Sequence, residues 1–277
     1  ETGAREEIGI VDEPLAMRGK DLLKIKRYSN ALITFIKNSQ TPITIGIQGE
    51  WGSGKTSLLN TIYTELESAN EHQESKDFKV VWINSWENSL MATPEEALIK
   101  IINEIIASLV NVDPSLQNIS KVKDAATVAA KGILRVGAGI LGGTAGSNVM
   151  DEVLESSNSI RDLRLELTNL VDEIRTSSNQ RVDKIVIFVD DLDRIDPPEA
   201  VKILELLKNI FSIPGCVFVL AIDYQVVIKG LKEKFGERTP ENEWEFRAFF
   251  DKIIQLPFLM PMGSYDIGHY VNDLLRQ

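Results

Sequence analysis

The chain has 277 residues, of which 43% are hydrophobic and 26% charged, and its formal net charge is −11 at pH 7. This composition is that of an ordinary folded protein and excludes intrinsic disorder, while the length allows one large domain or two small ones. The negative charge argues against a broad non-specific grip on nucleic acid or on an anionic membrane, and one cysteine with two histidines leaves too few ligands for a typical zinc enzyme.

Helices and strands are predicted to alternate in the first part of the chain, after an N-terminal extension at residues 1–20. Apolar spacing indicates the helices, and short apolar runs bounded by turn residues indicate the strands. Threonine and proline at positions 93 and 94 are typical of a helix start. The predicted elements are a helix Lys20–Lys37, a strand Ile43–Gln48, a helix Lys55–Ser68, a strand Phe78–Asn84 and a helix from Thr93 to about Val110.

The middle of the chain has a different composition. Ala125–Gly146 is rich in alanine and glycine and contains Lys131 and Arg135. Its charge-free part is shorter than the roughly 20 apolar residues that a spanning helix needs, and glycine weakens a helix. A hinge or close-packed glycine-rich hairpin is therefore favoured over membrane insertion, which stays open as an alternative. A charged amphipathic helix is predicted at Ser159–Arg175.

Three further apolar runs predict strands in the last third of the chain. They are Lys184–Val189, Cys216–Ile222 and Ile253–Phe258, with a helix at Pro198–Phe211 between the first two. Strands that are continuously apolar and alternate with helices indicate a parallel sheet covered on both faces. The predicted fold class is therefore α/β.

The segment GEWGSGKTS matches the phosphate-binding pattern G-x-x-x-x-G-K-[ST], with a strand before it and a helix after it. Glycines let backbone amides face phosphate oxygens, and the helix adds its positive end. Lys55 is expected to bridge the terminal phosphates, and Thr56 to bind Mg²⁺. The alternative is a chance glycine-rich turn, which is disfavoured because a predicted strand precedes the segment and a predicted helix follows it. The predicted binding residues are Gly49, Glu50, Trp51, Gly52, Ser53, Gly54, Lys55, Thr56 and Ser57.

Two acids end the apolar strand IVIFV, as Asp190 and Asp191. A metal ion held between phosphates needs a carboxylate at the end of a neighbouring strand. Many buried strands end in a solvated aspartate, so this feature is informative only together with the phosphate loop. We assign Asp190 to Mg²⁺ and Asp191 to polarising the attacking water. Aspartate is shorter than the glutamate that usually serves there, which allows slow turnover.

Five strings together resemble successive motifs of the KAP family of P-loop NTPases: GEWGSGKTSL, VVWINSWENS, VIFVDDLDRID, VFVLAID and FFDKIIQLPF. They span the chain from about Asp21 to Pro261. The resemblance implies a three-layer, additional-strand (AAA-like, STAND-related) ATPase core, with the second acidic strand inserted beside the phosphate-loop strand. It also implies a role in signalling scaffolds or in bacterial defence against phage or plasmids.

The resemblance assigns further residues by position. Asp223 ends the strand that presents a γ-phosphate sensor in related ATPases, and Asn84 with Trp86 matches an Asn-x-Trp motif. Arg194 and Arg247 are candidate fingers that act on an adjoining subunit, with a salt-bridged arginine as the alternative, favoured slightly for Arg194. Trp82 and Trp86 fit simple packing at the core edge equally well.

The implied domain organisation is a KAP domain at 21–261, with an Ala/Gly-rich insertion at about 121–158, and the start of a truncated helical segment at 262–277. Many relatives carry transmembrane helices where this chain has only the glycine-rich stretch. We therefore expect a cytoplasmic protein, with membrane association open only through that stretch.

The expected function is that of an Mg²⁺-dependent ATPase switch that forms a homo-oligomer or controls a partner effector. ATP is favoured over GTP because the chain lacks an [NT]-K-x-D string, and ABC transport is disfavoured because an LSGGQ-like signature is missing. The alternatives are a nucleotide-gated scaffold with little turnover, a small-molecule kinase and a nucleic-acid-stimulated motor. The acidic composition argues against the motor.

Overall fold

The helices and strands alternate along the chain in a computed structural model that describes residues 25–70, 76–89, 94–110, 119–129, 147–176, 182–208 and 212–264. The strands are β1 Ile43–Gln48, β2 Lys76–Asn84, β3 Val182–Asp190, β4 Cys216–Ile222 and β5 Leu256–Leu259. The helices are α1 Lys26–Asn38, α2 Lys55–Asn70, α3 Ser85–Ser89, α4 Pro94–Val110, α5 119–129, α6 Ser147–Thr176, α7 Pro197–Lys208, α8 Tyr224–Phe235 and α9 Glu243–Asp251. Short 3-10 turns lie at Leu192–Arg194 and Met262–Ser264.

The described strands form one parallel sheet in the order β2-β3-β4-β1-β5. This confirms the predicted α/β fold. β4, which is followed by Asp223, lies directly beside β1. β3, which is followed by Asp191, lies on the other side of β4. The carboxyl ends of β1, β3 and β4 therefore meet at one edge of the sheet, where ligands bind in open α/β folds.

Both faces of the sheet are covered, because the inner strands are apolar on both sides. On β3, Val186 and Phe188 pack with residues of α1 and α2, whereas Ile185, Ile187 and Val189 pack with residues of α4 to α9. The side chains alternate between the two faces with the period of a strand. This arrangement confirms for β3 and β4 that a continuously apolar run is a buried strand, whereas β5 at the edge of the sheet is only half-buried or exposed.

A buried lysine ties the start of β3 to the end of α1. The Nζ atom of Lys184 donates to the carbonyl oxygens of Ile36 (2.9 Å), Lys37 (2.6 Å) and Ser39 (2.8 Å). The last carbonyls of a helix lack partners within the helix, and a positive charge is favourable there. Lys184 therefore stabilises the junction that leads into β1.

The last strand begins later than predicted. Ile253 and Ile254 belong to the turn after α9, where both amides donate to the Phe250 carbonyl oxygen, at 2.9 and 2.8 Å. Both side chains are buried, so their apolar character reflects packing rather than strand pairing. Pairing with β1 starts only at Leu256, opposite Ile45.

The middle segment is more helical than predicted. Residues 119–129 form α5, which includes the first residues of the Ala/Gly-rich stretch, and α6 begins at Ser147 rather than Ser159. Several predicted features fall outside the described residues, so the structure does not test them: the extension at 1–20, the start of the first helix, the Thr93 cap, the glycines at 130–146, residues 209–211 and most of 262–277.

Within the described residues, the helices lack the combination of length and hydropathy that a membrane span requires.

Candidate active site

The phosphate loop connects β1 to α2 at the carboxyl edge of the sheet. The amide of Gly49 donates to the carbonyl of Ile222 (3.2 Å), which fixes the loop against the end of β4. A Cβ atom at position 49 would lie 2.4 Å from Ser53 Oγ, so no larger residue fits there. Gly52 and Gly54 have φ of 77° and 85°, a region that side chains disfavour. The glycine spacing of the motif is therefore required by the backbone itself.

Lys55 opens α2 and turns back over the loop. Its Nζ atom contacts the carbonyl oxygens of Gly49 (2.9 Å) and Glu50 (3.1 Å) and the Oδ2 atom of Asp193 (2.8 Å). The side chains of Lys55 and Asp193 are each only 6% exposed. The ammonium group thus lies inside the loop, where the phosphate-loop motif requires it.

Asp190 and Thr56, the two predicted metal ligands, lie in contact. The Thr56 side chain hydrogen-bonds to the Asp190 carboxyl group, and Asp190 Oδ1 also accepts from the Asp191 amide at 2.9 Å. Burial, with smaller contributions from the charges of Asp191 and Asp193, raises the pKa of Asp190 from its ordinary 3.8 to about 6, while these hydrogen bonds oppose the rise. The site therefore holds more negative charge than its own residues neutralise.

Replacing Asp190 by asparagine should stabilise the protein in the absence of Mg²⁺ at pH 7.5. Because the folded-state pKa lies above the ordinary value, the contribution of Asp190 is fully favourable below pH 3.8 and is lost as the pH rises through about 6. The gain in the free energy of unfolding is about 3 kcal/mol at pH 7.5 and about half of that at pH 5. Urea unfolding in EDTA at both pH values measures it.

The matched control for this comparison is Asp196→Asn, because Asp196 is exposed a few residues farther along the chain. It should leave stability within about 0.5 kcal/mol of wild type. An Asp190→Asn variant that is less stable than wild type at both pH values would contradict the account of the buried charge.

Asp191 follows β3 in a left-handed conformation, with φ of 60°. Among residues with a side chain, aspartate and asparagine tolerate this conformation best. Its Oδ1 atom pairs with Arg194 Nε at 2.7 Å, and its Oδ2 atom accepts from Asn84 Nδ2 at 3.1 Å. Burial raises the pKa of Asp191, and the nearby Arg194 opposes that rise. The carboxylate is therefore held by neighbours on both oxygens.

The residues of the Asn-x-Trp motif lie near Asp191 and Arg194, whereas the neighbouring Trp82 packs in the core. Asn84 lies opposite Asp190 in the β2–β3 register and contacts Asp191, whereas the Trp86 ring lies 5.7 Å from the Arg194 guanidinium carbon. Trp82 stacks on Phe188 with ring centroids 5.7 Å apart. The core-packing interpretation therefore describes Trp82, while Asn84 contacts Asp191 and Trp86 lies beside Arg194.

The remaining predicted residues have different surroundings. Asp223 follows β4 beside the loop, and its side chain caps α8 by accepting from the Gln225 amide at 2.8 Å. Arg247 lies on α9, where it is 72% exposed and pairs with Glu243 at 3.3 Å. Trp51 is 74% exposed at the loop tip, and Ser57 lies in the first turn of α2. The roles predicted for these side chains stay predictions.

Two side chains that contact the phosphate loop were not predicted from the sequence. Asp193 contacts Lys55, and Met260 packs so closely that a Cβ at Gly49 would lie 2.9 Å from its Cγ. For Asp193 the signal was present in the string DDLD, because it lies only three residues beyond the end of a strand already assigned to the site. For Met260 the sequence carries no such signal.

The residues at this edge fit a triphosphate with a magnesium ion. Oxygen ligands from a hydroxyl and a carboxylate suit Mg²⁺, which is usually bound by one or two carboxylates together with substrate phosphates. No atom lies within 4 Å of the position that a Cβ would take at Gly52, so the loop backbone is uncovered there, and the Lys55 ammonium supplies charge. In the structure, the ammonium of Lys55 is paired with Asp193.

Comparison with known proteins supports the same interpretation. Residues 25–273 match the profile described as the KAP family P-loop domain. The chain is also similar to the Phage T7 exclusion protein of Escherichia coli (strain K12), with 25% identity over 242 residues. That match covers 78% of this chain but only 30% of the relative, so the chain spans less than a third of that protein's length.

Proposed function

Because the chain belongs to the KAP family of P-loop NTPases, we propose that it binds ATP with Mg²⁺ and hydrolyses it, and that the nucleotide controls assembly or a partner effector. The observation that carries the proposal is the contact between the phosphate loop and the acidic strand. Thr56 of the loop hydrogen-bonds to Asp190, so the two halves of the expected site face each other.

The proposed mechanism divides the work among few residues. The loop amides and Lys55 bind the phosphates, and Thr56 and Asp190 hold Mg²⁺. When bound, Mg²⁺ supplies positive charge that stabilises the charge developing on the transferred phosphoryl group. Asp191 orients the attacking water and accepts its proton. General-base catalysis of this kind contributes roughly 100-fold to 10,000-fold to a rate.

The preference for ATP over GTP rests on the sequence alone, since the chain lacks the Asn/Thr-Lys-x-Asp string that reads guanine. The biological setting rests on the relative: a protein named for phage exclusion shares this region. We therefore propose a role in defence against phage for a cytoplasmic protein. The net charge of −11 gives no support to nucleic acid as a partner.

A second candidate is a nucleotide-gated scaffold with little turnover. It is favoured by the engagement of Asp191, because Arg194 and Asn84 hold both carboxylate oxygens and so oppose their contact with an attacking water. The two functions differ in turnover but not in ATP binding.

Turnover measured over a wide range of protein concentration tests the proposal and its assembly step. We expect Mg²⁺-dependent phosphate release from ATP in clear excess over GTP, with a specific rate that climbs with protein concentration as subunits complete one another's sites. Arg247 is the better of the two candidate fingers for such a contact, because its side chain is 72% exposed and its pair with Glu243 is long at 3.3 Å, whereas Arg194 is 43% exposed and lies 2.7 Å from Asp191. ATP binding without turnover at every concentration would favour the scaffold.

A further inference from the structure

The acidic turn, defined as residues Asp191 to Arg194, contacts the site at two places. One contact is the ion pair between Asp193 Oδ2 and Lys55 Nζ, at 2.8 Å. With both side chains 6% exposed, water and salt screen this pair far less than a surface ion pair. An ammonium group has three hydrogens to donate, and here Asp193 and two loop carbonyls accept them all. A phosphate that binds Lys55 must therefore displace at least one of them.

Of the three acceptors of Lys55, Asp193 is the one whose displacement by a phosphate is most favourable in free energy. The carbonyls of Gly49 and Glu50 belong to the loop that cradles the phosphates, whereas Asp193 is an anion that would repel them at close range. The carboxylate and the triphosphate thus compete for one ammonium group.

The second contact restrains the residue proposed to act on water. Arg194 Nε lies 2.7 Å from Asp191 Oδ1, and its guanidinium carbon lies 5.7 Å from the Trp86 ring. While this pair holds, Arg194 engages one carboxylate oxygen of Asp191 and Asn84 engages the other, so the carboxylate cannot turn toward a water molecule without breaking one of these contacts. Arg194 therefore opposes the general-base role of Asp191 while it remains paired.

The two contacts are joined mechanically because Asp193 and Arg194 are consecutive residues of one 3-10 turn. The turn is closed by the Arg194 amide, which donates to the Asp191 carbonyl at 3.2 Å, and it is anchored by the buried side chain of Leu192. A displacement of Asp193 from Lys55 cannot leave Arg194 in place unless the turn itself deforms.

We propose that the acidic turn is a latch, in which Asp193 competes with the triphosphate for Lys55 and Arg194 restrains Asp191 until that competition is lost. Both are positioning residues, because each acts through another side chain. This inference deepens the proposed function and rests on it: the latch regulates the ATP site. Its consequence is that ATP binding and the release of Asp191 are one event.

The latch predicts tighter ATP binding in variants of either residue. Asp193→Asn keeps the shape of the side chain but removes its charge, so ATP should bind at least fivefold more tightly. In Arg194→Ala, ATP binding no longer has to break the pair with Asp191, so the dissociation constant should fall at least threefold while the turnover number at saturating ATP stays within twofold of wild type. A finger role for Arg194 predicts instead a loss of turnover.

The experiment uses the full chain as wild type, Asp193→Asn, Arg194→Ala and the control Asp196→Asn. Asp196→Asn removes the same charge from an exposed residue two positions beyond this turn. Equilibrium binding of labelled ATP, with and without Mg²⁺, gives the dissociation constants, and phosphate release at saturating ATP gives the turnover numbers. We expect the control to match wild type in both.

Each outcome bears on the latch. ATP binding by Asp193→Asn that is equal to or weaker than wild type would overturn the competition. ATP binding by Arg194→Ala that is equal to or weaker than wild type, or a loss of its turnover, would overturn the restraint. Arg194 is 43% exposed, so its variant should fold even if Asp193→Asn does not. Binding by Asp193→Asn when wild type shows none would support the latch. Failure of the proposed function is distinguishable, because then no variant binds ATP, which overturns both.

Discussion

Replacing Lys55 by alanine should weaken ATP binding about 100-fold or more. The side chain lies inside the phosphate loop with its ammonium on the carbonyls of Gly49 and Glu50. Charge-assisted hydrogen bonds from such a group to phosphate contribute roughly 1.5 to 3 kcal/mol each, and 1.4 kcal/mol is a tenfold change in affinity. Equilibrium binding of labelled ATP measures the loss.

This variant also leaves Asp193 buried without its cation, which costs roughly 3 to 5 kcal/mol of stability. The double variant Lys55→Ala/Asp193→Asn removes both charges and should recover much of that stability while ATP binding stays lost. Lys202→Ala, on the exposed side of α7, is the control for removing a lysine elsewhere. Unchanged ATP affinity in Lys55→Ala would overturn the assignment of the loop.

Replacing Asp191 by asparagine should lower turnover about 100-fold or more while ATP binding stays within about threefold of wild type. Asparagine suits the test because it tolerates the left-handed backbone at this position, where φ is 60°. It can still accept a hydrogen bond from Asn84, but it cannot take a proton from water. Phosphate release at saturating ATP and equilibrium ATP binding are measured side by side.

The same variant separates the two candidate functions. A switch enzyme loses turnover and keeps its nucleotide, whereas a scaffold loses neither binding nor assembly. Asp196→Asn again serves as the control for a lost charge. Full turnover in Asp191→Asn would show that the base lies elsewhere in the site.

Most of the fold was predictable because its signals are local. The apolar run that ends at Asp190 is buried on both faces. Gly49 lies where a Cβ would clash, and Gly52 and Gly54 adopt a positive φ that other residues disfavour. Runs with such strict local demands show in the sequence. The buried Ile253 and Ile254 show the limit, because an apolar pair reads as a strand whether it packs in a turn or in the sheet.

The candidate site was predictable in its residues more than in its contacts. Sequence spacing brings Thr56 and Asp190 to one edge, and the structure places them in contact. The sequence does not indicate that Asp193 pairs with Lys55 or that Arg194 pairs with Asp191. These pairings depend on the 3-10 turn and on the left-handed conformation of Asp191, neither of which is specified by the string of aspartates. The contacts that define the latch therefore become visible only in the folded structure.

Phosphate release from ATP with Mg²⁺, with the Lys55→Ala variant as the blank, tests the central claim of a working ATPase site most directly. The account predicts release by the wild type that exceeds the blank and stops when EDTA removes Mg²⁺. Release that is identical in wild type and Lys55→Ala across the whole range of protein concentration would contradict it.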